Sequence, residues 1–241
     1  MSNAVKVHVR DVALFERPVT LRLPFRFGAA TVTRCPQAFV RVGVDIGGRR
    51  YEGASAELMV PKWFDKSPEL THEQNFEQLR EALRAAREAY TVAGPAASPW
   101  QLSQGAGEAC INTLVARGLP RLAAQFGPAL LDKAVADAAL RAAGQGWCDG
   151  LRAGVLGDPW SASLASLATT SPQQVTLRHT VGLADRLTPA DDGADPQDGL
   201  PATLQDAIGH YGLHHFKLKL SGQPDADVDR LSRIGAVLQA H

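Results

Sequence analysis

Residues 214–222 read HHFKLKLSG, and the reading of this stretch settles how the rest of the chain is understood. Phe216, Leu218 and Leu220 alternate with Lys217 and Lys219, the period-two pattern of a strand with one apolar face. The two lysines then share the opposite face, side by side. Upstream, LPATLQDAIGHY (200–211) has helical spacing and runs into Gly212, a helix stop; downstream, DADVDRLSRIGAVLQAH (225–241) begins another helix. Before these, VTLRHTVGLA (175–184) reads as a strand. Strand, helix, strand, helix is the unit of a parallel sheet or of a barrel. Two parallel strands with two helices do not bury both faces of a sheet, and a complete (β/α)8 barrel takes about 250 residues. The chain is therefore read as leaving a barrel after its second βα unit, an incomplete barrel.

The first half has a different rhythm. Val5, Val7 and Val9 alternate with polar residues, and QAFVRVGVDI (37–46) passes through Gly47-Gly48 into RRYEGASAEL (49–58). Gly-Gly between two strand-like runs marks a hairpin, because both turn positions can take positive φ. A meander of about three antiparallel strands is expected. Helices follow. Thr71 and Gln74 have capping-box spacing ahead of Phe76, Leu79, Leu83, Ala86 and Tyr90, with Gly94-Pro95 as the stop. A second helix is expected near 106–117 and a third, Ala-rich and therefore closely packed, over 129–143 before Gly144.

The 241 residues carry 25 Lys plus Arg against 25 Asp plus Glu, so net charge suggests no nucleic-acid surface. No stretch has the roughly 18 apolar residues of a membrane span, and the N-terminus lacks the apolar core of a signal peptide. Cys35, Cys110 and Cys148 are scattered with no C-x-x-C spacing, which suits a reducing cytoplasm rather than a disulfide frame. The acidic run TPADDGADPQDG (188–199) misses the calcium-loop pattern and is expected to be a solvated, disordered loop. His210 and His214 are four apart, but Gly212 between them breaks the helix that metal binding would need.

Two lysines on one strand face have two readings. Solvent-facing, they are a charged surface pair. Held away from bulk water, each ammonium disfavours the other's charge, which favours a neutral amine able to act as a general base. Their place at the C-terminal end of a strand, where barrel active sites are built, supports the second reading.

KLKLSG (217–222), DKAVADAALRAAG (132–144) and VGVDIGGRRYEGASAEL (42–58), taken in order, resemble the enolase superfamily, in its mandelate racemase and muconate lactonizing enzyme-like branch. The resemblance extends from about Val5 to His241. It implies an α+β capping domain (1–150) followed by the first two βα units of a TIM-like (β/α)8 barrel (151–241), truncated. It also implies Mg²⁺-dependent abstraction of the proton α to a carboxylate, in a racemase, epimerase, cycloisomerase or acid dehydratase. Lys219 would be the acid/base, with Lys217 assisting and contacting the substrate carboxylate. The family's metal carboxylates come from later barrel strands, so no metal ligand is expected in this chain, and the chain is expected to be inactive alone.

In that family two capping-domain segments set substrate choice. Here they correspond to LPFRFGAATVTRC (23–35), expected as a mobile loop, and ELMVPKWFDKSP (57–68). Arg26, Phe27, Met59 and Trp63 are the candidate substrate-binding residues, Arg26 through bidentate pairing with a carboxylate and Trp63 as an apolar wall. The alternative is that the aromatics pack against helices and Arg26 is solvated. The expected partners are a small-molecule carboxylate and, through an exposed strand edge, further copies of the chain. A competing reading is a non-catalytic binding or assembly module.

Overall fold

The computed structural model describes residues 4–157, 163 and 173–241. Strands β1 (His8–Phe27), β2 (Ala30–Ile46) and β3 (Arg49–Leu58) form one sheet in that order. Then come helices α1 (His72–Val92), α2 (Pro99–Leu102), a π-helical turn (Ser103–Gly107), α3 (Glu108–Ala116), α4 (Arg121–Ala124), α5 (Phe126–Ala143) and α6 (Trp147–Arg152). The last elements are β4 (His179–Val181), α7 (Leu204–Tyr211), β5 (Phe216–Leu218) and α8 (Pro224–Gln239). The chain divides into two compact units, one of Met1–Pro18 with Pro36–Ser171, the other of Val19–Cys35 with Pro172–His241.

In the first unit the β2–β3 hairpin pairs Gln37 with Leu58 through to Ile46 with Arg49. It turns at Gly47 and Gly48, whose φ values of 58° and 78° are why two glycines stand there. Ala38, Val40, Val42, Val44 and Ile46 point inward by strict alternation and are buried. The α1 capping box is formed as its spacing predicts, Thr71 and Gln74 each accepting from the other's backbone N–H. One face of α1, from Phe76 to Tyr90, is buried. The close packing expected of the Ala-rich helix is present: a Cβ placed on Gly53 of β3 would lie 2.0 Å from the Ala134 carbonyl oxygen of α5. A Cβ on Gly127 would lie 2.0 Å from the Ala82 carbonyl oxygen of α1. The helix expected near 106–117 begins earlier, at Pro99, behind the N-cap Ser98. Ser followed by Pro at the first helical position is a start signal that the Gly-rich run SQGAG obscured.

In the second unit β4 and β5 pair in parallel, His179 with Phe216 through to Val181 with Leu218. Thr203 caps α7, and Gly212 closes it at φ 60°. The core joins Val181, Leu187, Leu204, Ala207, Ile208, Leu213, Ile234 and Val237, with Phe216 and Leu218 packed against it.

Four expectations need correction. The first parallel strand covers three residues rather than ten, and Val175 and Leu177 are exposed; alternation alone does not supply a partner strand. Leu220 is likewise exposed, since β5 ends at Leu218. Residues 23–35 are not a loop but the paired ends of β1 and β2 about a turn at Gly28-Ala29. Proline at 18 and 24 is tolerated because β1 is the sheet edge.

The acidic stretch is ordered. Asp191 accepts from the Leu187 and Thr188 amides at 2.7 and 3.0 Å and pairs with Arg233. Asp195 pairs with Arg186, and Asp198 receives a two-pronged contact from Arg22 at 2.5 and 2.6 Å. Local acidity suggested disorder; arginines brought from β1 and α8 neutralise it.

Candidate functional site

Lys217 and Lys219 stand at the C-terminal end of β5. Lys217 is exposed and opposite Thr180, while Lys219 is half-buried and its amide continues the ladder to the Val181 carbonyl at 3.0 Å. The Lys219 ammonium lies over the Phe27 ring, 6.0 Å from its centroid. Phe27 in turn packs on Phe25 at 5.7 Å. The end of β1 is held there by the Leu183 amide, which donates to the Arg26 carbonyl at 3.1 Å.

The turn after β4 is fixed by groups that no local pattern singled out. Asp185 accepts from the Gly182 amide at 2.7 Å, and the Arg230 guanidinium donates to the Gly182 and Asp185 carbonyls at 2.6 and 3.0 Å. Burial pushes Arg230 below its ordinary value. A Cβ at position 182 would sit 2.7 Å from the Asp185 carboxylate and 3.3 Å from Phe25, so a side chain there would displace the carboxylate that holds the turn. The turn after Lys219 is fixed likewise: Asp227 accepts from the Ser221 and Gly222 amides and the Ser221 hydroxyl, which holds its carboxyl below the usual range. In both, an aspartate that follows the turn accepts from the amides of the turn before it; the G-x-x-D of GLAD (182–185) was the available signal.

Of the six candidate residues, Lys219 and Phe27 meet, and Lys217 is their neighbour on the strand. Arg26 is exposed and alternates with half-buried Phe25 and Phe27 along β1. Met59 and Trp63 belong to the first unit. Met59 is fully buried there and Trp63 is 46% exposed, while Phe64 packs edge-on against Phe126 at 5.1 Å. Lys62 holds this segment, its φ at 59° and its ammonium donating to the Ser67 and Leu70 carbonyls.

The second unit also has a cleft of about 390 Å³ that shares Phe25 and Asp185 with these surroundings and is lined further by Leu23, His179 and Leu204; neither lysine lines it. Magnesium, which the sequence resemblance implies, does not fit the residues present: among the described residues no three His, Cys, Asp or Glu side chains cluster as ligands. Asp191, Asp195 and Asp198 all face arginines. Among the described residues no helix is long and apolar enough to cross a membrane.

No protein-family model matches the chain, and no curated protein matches it. Solved structures do resemble it. An enolase from Bradyrhizobium, complexed with magnesium and mandelic acid, superposes with a TM-score of 0.59 at 16% identity over 97% of this chain and 51% of that one. A mandelate racemase/muconate lactonizing enzyme-like protein from Rubrobacter xylanophilus gives 0.54 at 15% over 96% and 50%. A dipeptide epimerase from Methylococcus capsulatus, complexed with Mg and the dipeptide L-Arg-D-Lys, gives 0.51 at 18% over 96% and 51%. The chain therefore resembles enolase and mandelate racemase-type proteins in fold, and it spans about half the length of the structures it resembles.

Proposed function

We propose that this chain carries the base-bearing part of an enzyme that abstracts the proton α to a carboxylate, with Lys219 as acid/base. The observation that supports this reading is the placement of Lys217 and Lys219 at the C-terminal end of β5, in a parallel β4–β5 pair. In α/β barrels that end of the strands is where catalytic groups gather. The fold likeness to racemase- and epimerase-type structures adds to it.

In the proposed step the Lys219 amine takes the α-proton of a bound carboxylate. The C–H electron pair passes into the carboxyl group as an enediolate, and the Lys217 ammonium on the same strand face offsets part of the new negative charge. The Lys219 ammonium then returns the proton. Phe27 limits the motion of the Lys219 chain and walls its surroundings. One ammonium does not balance a dianionic enediolate, so the 241 residues are proposed to be inactive by themselves. The structures of like fold, in complex with mandelic acid or a dipeptide, suggest carboxylates with an acidic α-proton as the substrate class.

The test is α-proton exchange in D₂O, read by NMR, with mandelate and a panel of hydroxy acids, amino acids and dipeptides plus Mg²⁺. The protein purified from its native host is expected to exchange one of them, and Lys219→Ala is expected to slow that exchange by about 10²-fold or more. The 241-residue chain alone is expected to show none. Exchange that survives Lys219→Ala, or no exchange across the panel, would overturn the assignment.

A further inference from the structure

The first unit contains a second concave site, remote in sequence from the lysines. Its cleft of about 570 Å³ has Trp100, Ser103, Asp132, Lys133, Trp147 and Leu151 among its lining residues. That volume lies within the roughly 300–1,000 Å³ of small-molecule sites. The walls are apolar, and Trp147 is 55% exposed. The floor is a carboxylate: Asp132 accepts from the Tyr90 hydroxyl at 2.6 Å and from the Ser103 hydroxyl at 2.7 Å.

This floor is expensive to build. Tyr90 is fully buried, and its hydroxyl reaches Asp132 past Gly107, where a Cβ would come within 2.7 Å of the hydroxyl oxygen. Gly107 and Ser103 belong to the π-helical turn, a rare local geometry that concentrates at functional sites. Both hydroxyls donate, which favours the Asp132 anion against the opposing effect of burial. No described lysine or arginine pairs with it: Lys133, the next residue, is turned to Glu57 at 3.2 Å, and Glu108 adds like charge. A partly buried carboxylate with hydrogen-bonded support and, among the described residues, no counter-cation, in a cleft also lined by two tryptophans, suits a positive charge carried on an apolar body.

We propose that this cleft binds a small organic cation, an aryl- or alkylammonium, with its nitrogen on Asp132 and its apolar part against Trp100, Trp147 and Leu151. The site is independent of the Lys219 reading and stands or falls without it.

Isothermal titration of the 241-residue chain with 2-phenylethylammonium, 2-phenylethanol and phenylacetate tests the charge. The ammonium is expected to bind one per chain, at least about ten-fold more tightly than either analogue. Trp147→Ala and Asp132→Asn are each expected to weaken it by about ten-fold. No saturable ammonium binding, equal or tighter binding of phenylacetate or phenylethanol, or ammonium binding untouched by Trp147→Ala would overturn the proposal. Asp132 lies in a packed network, so circular dichroism is run on Asp132→Asn first. If that variant is unfolded, the ligand series and the exposed Trp147 decide.

Discussion

The Lys219 ammonium and the Phe27 ring face one another at 6.0 Å, although they lie near opposite ends of the sequence. A cation over an aromatic face at a partly exposed site is worth about 0.5–1 kcal/mol, which corresponds to a few-fold change in how often the side chain stands free. Phe27→Ala is expected to speed reductive methylation of Lys219 about two- to five-fold relative to Lys217, read by peptide mass spectrometry. Equal rates in the variant and the parent would remove Phe27 from the site.

The order of the 189–201 loop rests on arginines outside it. Arg22 holds the Asp198 carboxyl down at about 2. A carboxylate held below its unfolded value of 3.8 contributes order that is complete above that value and is lost as pH falls through about 2. Arg22→Ala is therefore expected to expose this loop to limited proteolysis at neutral pH, several-fold faster than in the parent. High salt should act in the same direction, because both partners are solvent-accessible. A loop equally resistant in the variant would show that Asp191 and Arg233 suffice.

Gly53 and Gly127 are expected to be intolerant of any side chain. With backbone atoms 2.0 Å from the position of a Cβ, Gly53→Ala and Gly127→Ala each require helix α5 to move, at a cost of about 1–3 kcal/mol or more in urea denaturation. Gly209 in α7 has nothing within 4 Å, so Gly209→Ala is expected to stabilise its unit by about 0.5–1 kcal/mol. A reversed order of these effects would contradict the packing described for α5.

Burial lifts the Asp132 carboxyl above its ordinary value of 3.8, against the opposing pull of Tyr90 and Ser103. A raised folded-state value means a contribution to stability that is full below 3.8 and is lost as pH rises through the folded value. The stability of the parent relative to Asp132→Asn is thus expected to decline as pH rises above 3.8. Denaturation midpoints across a pH series check this, and a pH-independent difference would contradict the upward shift. A bound ammonium ligand would reverse the decline by stabilising the anion.

The elements legible from the residues alone were those specified within a few positions. Thr71 with Gln74 announced the start of α1, Gly47-Gly48 the hairpin and Gly212 the end of α7. The alternation around Lys217 placed a strand there. Each of these signals depends on backbone geometry or side-chain periodicity that neighbours in sequence impose on one another. The same local logic overextended β4, because a strand's length is set by its partner and β5 offers only three residues.

What only the tertiary structure decided are the meetings of residues far apart in the chain. Arg22 reaches Asp198, Arg233 reaches Asp191, Arg230 holds the Gly182 turn, Phe27 covers Lys219, and Tyr90 and Ser103 converge on Asp132. An isolated acidic stretch looks disordered, and an isolated aspartate looks solvated, until the cations or hydroxyls that satisfy them arrive from other elements. The sequence by itself set where the chain turns, where helices begin and which face of a strand is charged. The folded chain alone determined which charges are neutralised, which carboxylate is held by two hydroxyls and which lysine has an aromatic wall, because hydrogen bonds and ion pairs form by proximity in space.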